Sequence, residues 1–264
     1  MVNWLHGALR AGQGQPPASA VAKRRVLVAG GGGTLGAAVL EQLLATRGFT
    51  EVAVLVTQPL GSALQGLSTL MFDKLAEPPP VPEDTALIVF DRVRHANGRE
   101  QAFLRPEPEQ LAPLAAALHT RGVRHLIVVL PHAPASLPDA LKRGLASLDE
   151  QAVASLGFER LLFMRSAQSA ARVSADNLLQ RLAHWVLAQL QVMVAQREQP
   201  VRASKVAQFA AQLALQLPWS PPGTRVVPPE VVWEAGQTRD VAGLADDWLH
   251  HRQRAPAALP KMRM

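Results

Sequence analysis

The stretch that decides the fold is Val26-Leu27-Val28-Ala29-Gly30-Gly31-Gly32-Gly33-Thr34-Leu35-Gly36. Its first four residues are a short apolar run of the kind that forms a buried strand, and four glycines follow. Beyond the glycines, apolar residues recur at helical spacing: Leu35, Ala38, Val39, Leu40, Leu43 and Leu44. The stretch therefore predicts a strand, a glycine turn and a helix in direct succession.

Three of the glycines have the spacing G-x-x-G-x-x-G. Glycine permits a positive φ in a tight turn, lets the backbone approach a ligand closely and allows a helix to pack against a strand. Unpaired N–H groups at the start of the following helix attract an anion such as a pyrophosphate. We therefore expect a dinucleotide to contact Gly30, Gly33, Thr34, Leu35 and Gly36. The alternative is a glycine-rich turn that holds no ligand.

The rest of the chain alternates between apolar runs and helical patterns. Strands are predicted over 51–56, 67–72, 85–90, 124–130 and 159–164, and helices over 109–121, 139–156, 176–196 and 204–216. Ser204 is the predicted N-cap of the last helix. The alternation predicts an α/β fold, a doubly wound parallel sheet of the Rossmann type with a small, mainly helical C-terminal portion.

The predicted organisation has four parts. Residues 1–24 form a flexible basic lead-in, 25–170 a nucleotide-binding domain, 171–252 a helical portion packed on the same domain, and 253–264 a basic tail. Basic ends of this kind can contact nucleic acid. Aromatic residues make up only 5% of the chain and offer few stacking platforms for bases, so we do not expect nucleic-acid binding.

Composition excludes several classes of protein. Of the 264 residues, 48% are hydrophobic and 18% are charged, which is not the composition of a disordered chain. Cysteine is absent, which excludes disulfides, thiolate nucleophiles and cysteine-based metal sites. No metal site is predicted, because the adjacent His250 and His251 cannot share one helix face. No apolar run reaches the roughly 20 residues of a membrane span, so we expect a cytoplasmic protein.

Three further segments, together with the glycine turn, resemble the motifs of one family. Gly122–Val129 and Leu156–Arg165 lead into predicted strands, and Phe72-Asp73 follows the third strand. Together with the run V-x-V-x-G before the glycines, they resemble motifs of the atypical and extended short-chain dehydrogenases, above all the NmrA-like and Tat-interacting-protein-like members. The resemblance implies a Rossmann fold that binds a nicotinamide dinucleotide, and it implies that Asp73 contacts the adenine amino group.

The end of the second predicted strand bears on the choice of cofactor. An acid there would hold the ribose 2′-hydroxyl of NAD, whereas an arginine would hold the 2′-phosphate of NADP. This chain has Thr57 and Gln58 at that place, and both are neutral hydrogen-bond donors. Because NAD loses its usual anchor, we expect Thr57 and Gln58 to contact the cofactor and NADP(H) to be favoured over NAD(H).

The catalytic residues of that family are not retained. Reduction in these enzymes uses a tyrosine, and the chain contains none. The serine that usually closes the fifth strand falls on Leu130 or Pro131. The candidates left for catalysis are His132, Lys142 and Arg143, of which the last two are also interpreted as solvated charges on a helix.

Other residues near the predicted strand ends bear on the same site. His95 and His125 are further candidate acids. Asp91 stands where relatives end the fourth strand in a small residue that lets the dinucleotide pass. A carboxylate there would repel a pyrophosphate unless Arg92 or Arg94 neutralises it.

The leading hypothesis is a short-chain-dehydrogenase-like protein that binds NAD(P)(H) without tyrosine-dependent hydride transfer and acts as a sensor or scaffold. One alternative is an active NADPH-dependent oxidoreductase or isomerase with a non-standard acid. Another is an interaction module whose nucleotide site is vestigial. A homodimer and a protein partner remain open, since relatives pair helices across a two-fold axis.

Overall fold

The computed structural model describes residues 24–60, 66–79, 81, 83–91, 100–131, 149–166 and 201–251. Several predictions fall outside these ranges. They concern the lead-in up to residue 23, the helix over 176–196, the tail over 253–264 and the first ten residues of the helix over 139–156.

Within the described ranges, seven strands form one sheet, and every neighbouring pair is parallel. The strands are β1 (Arg25–Ala29), β2 (Glu51–Val56), β3 (Leu67–Met71), β4 (Thr85–Val89), β5 (His125–Pro131), β6 (Arg160–Ser166) and β7 (Gly223–Val227). Their order across the sheet is β3-β2-β1-β4-β5-β6-β7. This is the Rossmann strand order continued by a seventh strand, so the predicted fold class is confirmed.

Helices cover both faces of the sheet, as a doubly wound fold requires. They are α1 (Gly33–Ala45), α2 (Leu111–Thr120), α3 (Ala203–Gln216), α4 (Pro229–Gln237) and α5 (Val241–Leu249), with a further helical segment over 149–154. Successive strand residues point to opposite faces, so Leu27 packs with α2 while Val28 packs with α1 and the C-terminal helices. Within the described ranges, no helix is long and apolar enough to cross a membrane.

The C-terminal part differs from its prediction in two respects. β7 was not predicted, so residues beyond 200 contribute a strand as well as helices. The predicted N-cap Ser204 is wrong, because α3 begins at Ala203 after the N-cap Arg202, which makes no side-chain capping bond. The six predicted strands agree with the observed ones to within two residues at each end.

The strand order determines where a ligand can bind. β1 lies between β2 and β4, so the chain winds to one side of β1 in its first half and to the other side afterwards. Open α/β sheets bind their ligands at this reversal, outside the carboxyl ends of the strands. The turn between β1 and α1 lies at that place, and its surroundings form the candidate site.

Candidate dinucleotide site

The glycine turn has the geometry that its spacing predicts. Gly30 and Gly33 adopt φ values of +95° and +82°, a region that side chains rarely tolerate. Gly36 packs so closely on the carbonyl group of Gly30 that a Cβ atom would overlap it. Each glycine of the motif therefore meets a physical requirement: two permit the turn, and the third lets α1 pack against β1.

The first turn of α1 offers backbone donors to an anion. Its N-cap is Gly32, which has no side chain to accept a hydrogen bond, and the first turn contains no acid. Such a helix start carries unpaired N–H groups and the positive end of the helix dipole. In many nucleotide-binding proteins these groups meet a phosphate.

In this chain, one of these donors is already bonded to a side chain. The backbone N–H of Leu35 donates a hydrogen bond to Oδ2 of Asp91, at 2.6 Å. Asp91 comes directly after Phe90, just beyond the carboxyl end of β4, and a Cβ atom on Gly33 would lie 2.7 Å from the same oxygen. Asp91 therefore lies at the anion-binding end of α1.

This contact changes the interpretation of Asp91. The sequence predicts a carboxylate that repels a pyrophosphate unless Arg92 or Arg94 neutralises it, and both arginines lie outside the described residues. The structure instead gives the carboxylate a partner in the Leu35 N–H. Negative charge at a helix N-terminus is stabilising, so the helix itself offsets the charge of Asp91.

A second element lies across the same place, the segment 100–106, which we call the strap. The backbone N–H of Thr57 donates to the carbonyl of Ala102 at 2.7 Å, and that of Leu104 donates to the carbonyl of Leu55 at 3.0 Å. Between these two bonds, Val56 and Phe103 form an antiparallel bridge. The strap thus pairs with the last residues of β2.

The pairing of β2 with its two neighbouring strands shows on which side of β2 the strap lies. One side of Val56 is paired with Met71 of β3. On the other side, β1 pairs with β2 only as far as Val54, because the chain leaves β1 at the glycine turn. The strap therefore fills the gap between the end of β2 and the glycine turn.

Side chains of the strap also contact the turn. A Cβ atom on Gly31 would lie 3.1 Å from the ring of Phe103, and one on Gly30 would lie 3.3 Å from Pro106. Phe103 is partly buried against the hydrophobic cluster that includes α1. The absence of side chains at these glycines thus makes room for the strap, a contact between residues far apart in the sequence.

The other predicted cofactor contacts lie at the carboxyl end of the sheet as well. Thr57 and Gln58 are exposed just beyond β2, and the hydroxyl of Thr57 donates to the carbonyl of Ala102 at 3.3 Å. Asp73 is exposed in the 3-10 turn after β3. Thr34 is exposed in the first turn of α1, whereas Leu35 is buried. The fold brings all of these residues to one end of the sheet.

The proposed catalytic residues cannot be placed in this site. His132, Lys142 and Arg143 lie outside the described residues, as does His95. His125 begins β5 at the opposite end of the sheet, about 20 Å from the carboxyl end at the usual strand rise. The expectation that His125 supplies an acid is therefore wrong. No cluster of metal-ligating side chains occurs in the described ranges.

Comparison with known proteins identifies similar folds. A nucleoside-diphosphate-sugar epimerase from Staphylococcus aureus is 14% identical, with a TM-score of 0.49 over 78% of this chain and 70% of that one. A Citrobacter triphenylmethane reductase, solved with NADP(H), is 16% identical, with a TM-score of 0.45 over 72% and 65% of the two chains. A short-chain dehydrogenase/reductase superfamily protein from Agrobacterium tumefaciens, solved with NAD, is 15% identical, with a TM-score of 0.44 over 77% of each.

No protein-family model matches the sequence, and no curated protein matches it significantly. The structural likenesses concern the fold, which the strand order establishes independently.

Proposed function

We propose that the chain binds a nicotinamide dinucleotide at the glycine turn and does not transfer hydride by the tyrosine-dependent route. The observation that supports this proposal is the set of glycines: Gly30 and Gly33 at positive φ and Gly36 in contact with the Gly30 carbonyl. The chain contains no tyrosine that could act as the acid. A protein that binds the dinucleotide without consuming it is suited to act as a sensor or scaffold.

We also propose a preference for NADP(H). Thr57 and Gln58 lie just beyond the end of β2, across the strap from the glycine turn, and neither is an acid that would hold the 2′-hydroxyl of NAD. Asp73 lies on the neighbouring 3-10 turn, within the same end of the sheet, and is proposed to contact the adenine.

Thermal unfolding with and without NADPH, NADH, NADP and NAD tests the proposal. A ligand at about 100 times its Kd stabilises the folded state by about 2.7 kcal/mol. For a chain of this size, that raises the midpoint by roughly 5–10 °C. We expect the largest shift with NADPH or NADP.

A matched pair of variants locates the site. Gly33→Asp adds a carboxylate beside Asp91 at the start of α1, and we expect it to abolish the shift. Gly122→Asp makes the same change at another glycine of positive φ, where a Cβ atom would meet nothing within 4 Å. The shift should persist in this control. Loss of the shift in both variants would contradict binding at the glycine turn.

A second candidate is an interaction module with a vestigial nucleotide site. The observation that favours it is the hydrogen bond from Leu35 to Asp91, which uses a donor that a phosphate would need. It predicts no thermal shift with any of the four dinucleotides.

A further inference from the structure

We infer that Asp91 and the strap close the dinucleotide site from within, so that a dinucleotide binds only when both have left. This inference rests on the proposed function and specifies how the same site is regulated. Asp91 occupies the position that the pyrophosphate would take, and residues 102–104 of the strap occupy the position of the adenosine ribose.

The negative charge of Asp91 excludes a pyrophosphate from the start of α1. A pyrophosphate at the glycine turn needs the N–H groups at the start of α1, and the N–H of Leu35 is bonded to Asp91. The carboxylate also lies 2.7 Å from the position of a Cβ atom on Gly33, where the missing side chain would let a phosphate approach. Two anions cannot share this position, because their repulsion at contact distance is unfavourable.

The strap occupies the space that the adenosine half of a dinucleotide would need. A dinucleotide that spans the glycine turn and reaches Thr57 must cross the gap between β1 and the end of β2. Ala102, Phe103 and Leu104 lie in that gap and use the backbone groups of Leu55 and Thr57. Adenosine cannot occupy the gap while the strap is paired with β2.

The contact between Asp91 and α1 is reversible. Asp91 is only partly buried, and the hydrogen bond described for it joins it to a single backbone N–H. Water can solvate a carboxylate that leaves such a position, and a phosphate oxygen can replace it on the Leu35 N–H. The apparent affinity for a dinucleotide is then reduced by the fraction of molecules in which the site is open.

Titration calorimetry with NADPH as the probe tests the inference. Asp91→Ala removes the competing carboxylate, and the loss of a hydrogen bond of ordinary capping strength corresponds to an affinity gain of about fivefold. Asp91→Asn keeps a capping oxygen without the charge and should give a smaller gain. It also serves as the second variant if Asp91→Ala does not fold. Phe103→Ala weakens the strap and should tighten binding independently of Asp91.

The control is Glu230→Ala. Glu230 is an exposed acid in the first turn of α4, so the variant removes the same charge from the start of another helix. We expect its affinity for NADPH to equal that of the wild type. A comparable gain in Glu230→Ala would show that net charge, and not the place of Asp91, governs binding, and would overturn the inference.

The remaining outcomes separate the inference from the proposed function. If the wild type binds NADPH and neither Asp91 variant binds more tightly, the site is not closed by Asp91, while dinucleotide binding stands. If no variant binds NADPH or NAD, the proposed function fails together with the inference, and the glycine turn holds no dinucleotide.

Discussion

The two ends of the sheet use charged side chains in different ways. At the amino end, Arg24 donates to the carbonyls of Leu215 and Ala214 at 2.6 and 3.0 Å, and thereby binds the last turn of α3 to the start of β1. It is also paired with Asp84 at 3.5 Å. Burial lowers the pKa of Arg24, and the charge of Asp84 opposes that shift.

Aromatic rings complete this amino-end site. The guanidinium of Arg24 lies 5.0 Å from the centre of the Phe49 ring and 5.6 Å from that of Trp219, distances at which a cation is attracted to a ring face. All of these partners belong to elements of the sheet and its helices or lie next to them. The charge at the amino end therefore stabilises the fold.

At the carboxyl end, Asp91 has a partner of another kind. Its carboxylate accepts from a backbone N–H at the start of α1, a group that meets a ligand in many proteins of this fold. The role of a charged side chain therefore depends on the group to which it is bonded, and on whether that group usually serves the fold or a ligand. Arg24 binds carbonyls that need a cap, and Asp91 binds a donor that a phosphate can use.

The largest effect is expected from Arg24→Ala. The variant removes the charged donor from two helix carbonyls, at about 1.5–3 kcal/mol for each such bond, and it also removes the ion pair with Asp84. Arg124→Ala is the control, because its ion pair with Glu159 is exposed and contributes at most about 1 kcal/mol. Urea unfolding measures both. Equal losses would contradict a special role for Arg24.

Gly36→Ala should destabilise the carboxyl end almost as strongly. Its Cβ atom would overlap the backbone of Gly30, and overpacking of this kind costs about 3 kcal/mol. Gly122→Ala offers a comparison in which only the positive φ is unfavourable, at about 1–2 kcal/mol. A smaller loss for Gly36→Ala than for Gly122→Ala would show that α1 can shift away from β1.

Asp91→Ala is expected to lower the free energy of unfolding by about 1 kcal/mol without a ligand, because the Leu35 N–H in the first turn of α1 loses its acceptor. With saturating NADPH the difference should shrink, since the phosphate replaces the carboxylate at the Leu35 N–H. Thermal unfolding of the wild type and the variant, each with and without NADPH, gives the four values. A difference that NADPH leaves unchanged would place the ligand elsewhere.

The smallest expected effect is a pH dependence of the stability, which arises from His125 at the amino end of the sheet. His125 is buried, and burial, followed by the charge of Arg160, lowers its pKa below 6.5. His125 is therefore protonated more readily in the unfolded chain than in the folded one, so stability should fall as the pH drops through about 6.5. His125→Gln should remove that part of the slope in unfolding experiments between pH 8 and pH 5. An unchanged slope would contradict the assignment to His125.

The sequence predicts those parts of the fold that depend on neighbouring residues. Runs of apolar residues buried in the sheet form most of the strands, namely β1, β2, β4, β5 and β6. The glycines directly indicate the turn between β1 and α1. β7 is not predicted because most of its residues are exposed at the edge of the sheet, and Val227 is its buried residue. A strand of this kind has no apolar run to reveal it.

The closure of the site depends on distant residues, which explains why it was not foreseen. Asp91 lies 56 residues from the N–H whose hydrogen bond it accepts, and Phe103 also pairs with a residue distant in sequence, Val56. Arg24 stands at the end of the predicted lead-in, yet it is buried by groups of α3 near residue 215. Pattern and spacing along the chain carry no signal for contacts of this range.

Hydrogen exchange of the backbone amides of Leu104 and Thr57, with and without NADPH, tests most directly whether the site is closed from within. Both amides donate hydrogen bonds between the strap and β2. If NADPH displaces the strap, these two amides should exchange faster, while the amide of Ile127 in β5 keeps its protection. If NADPH binds and leaves both amides as protected as before, the strap does not close the dinucleotide site.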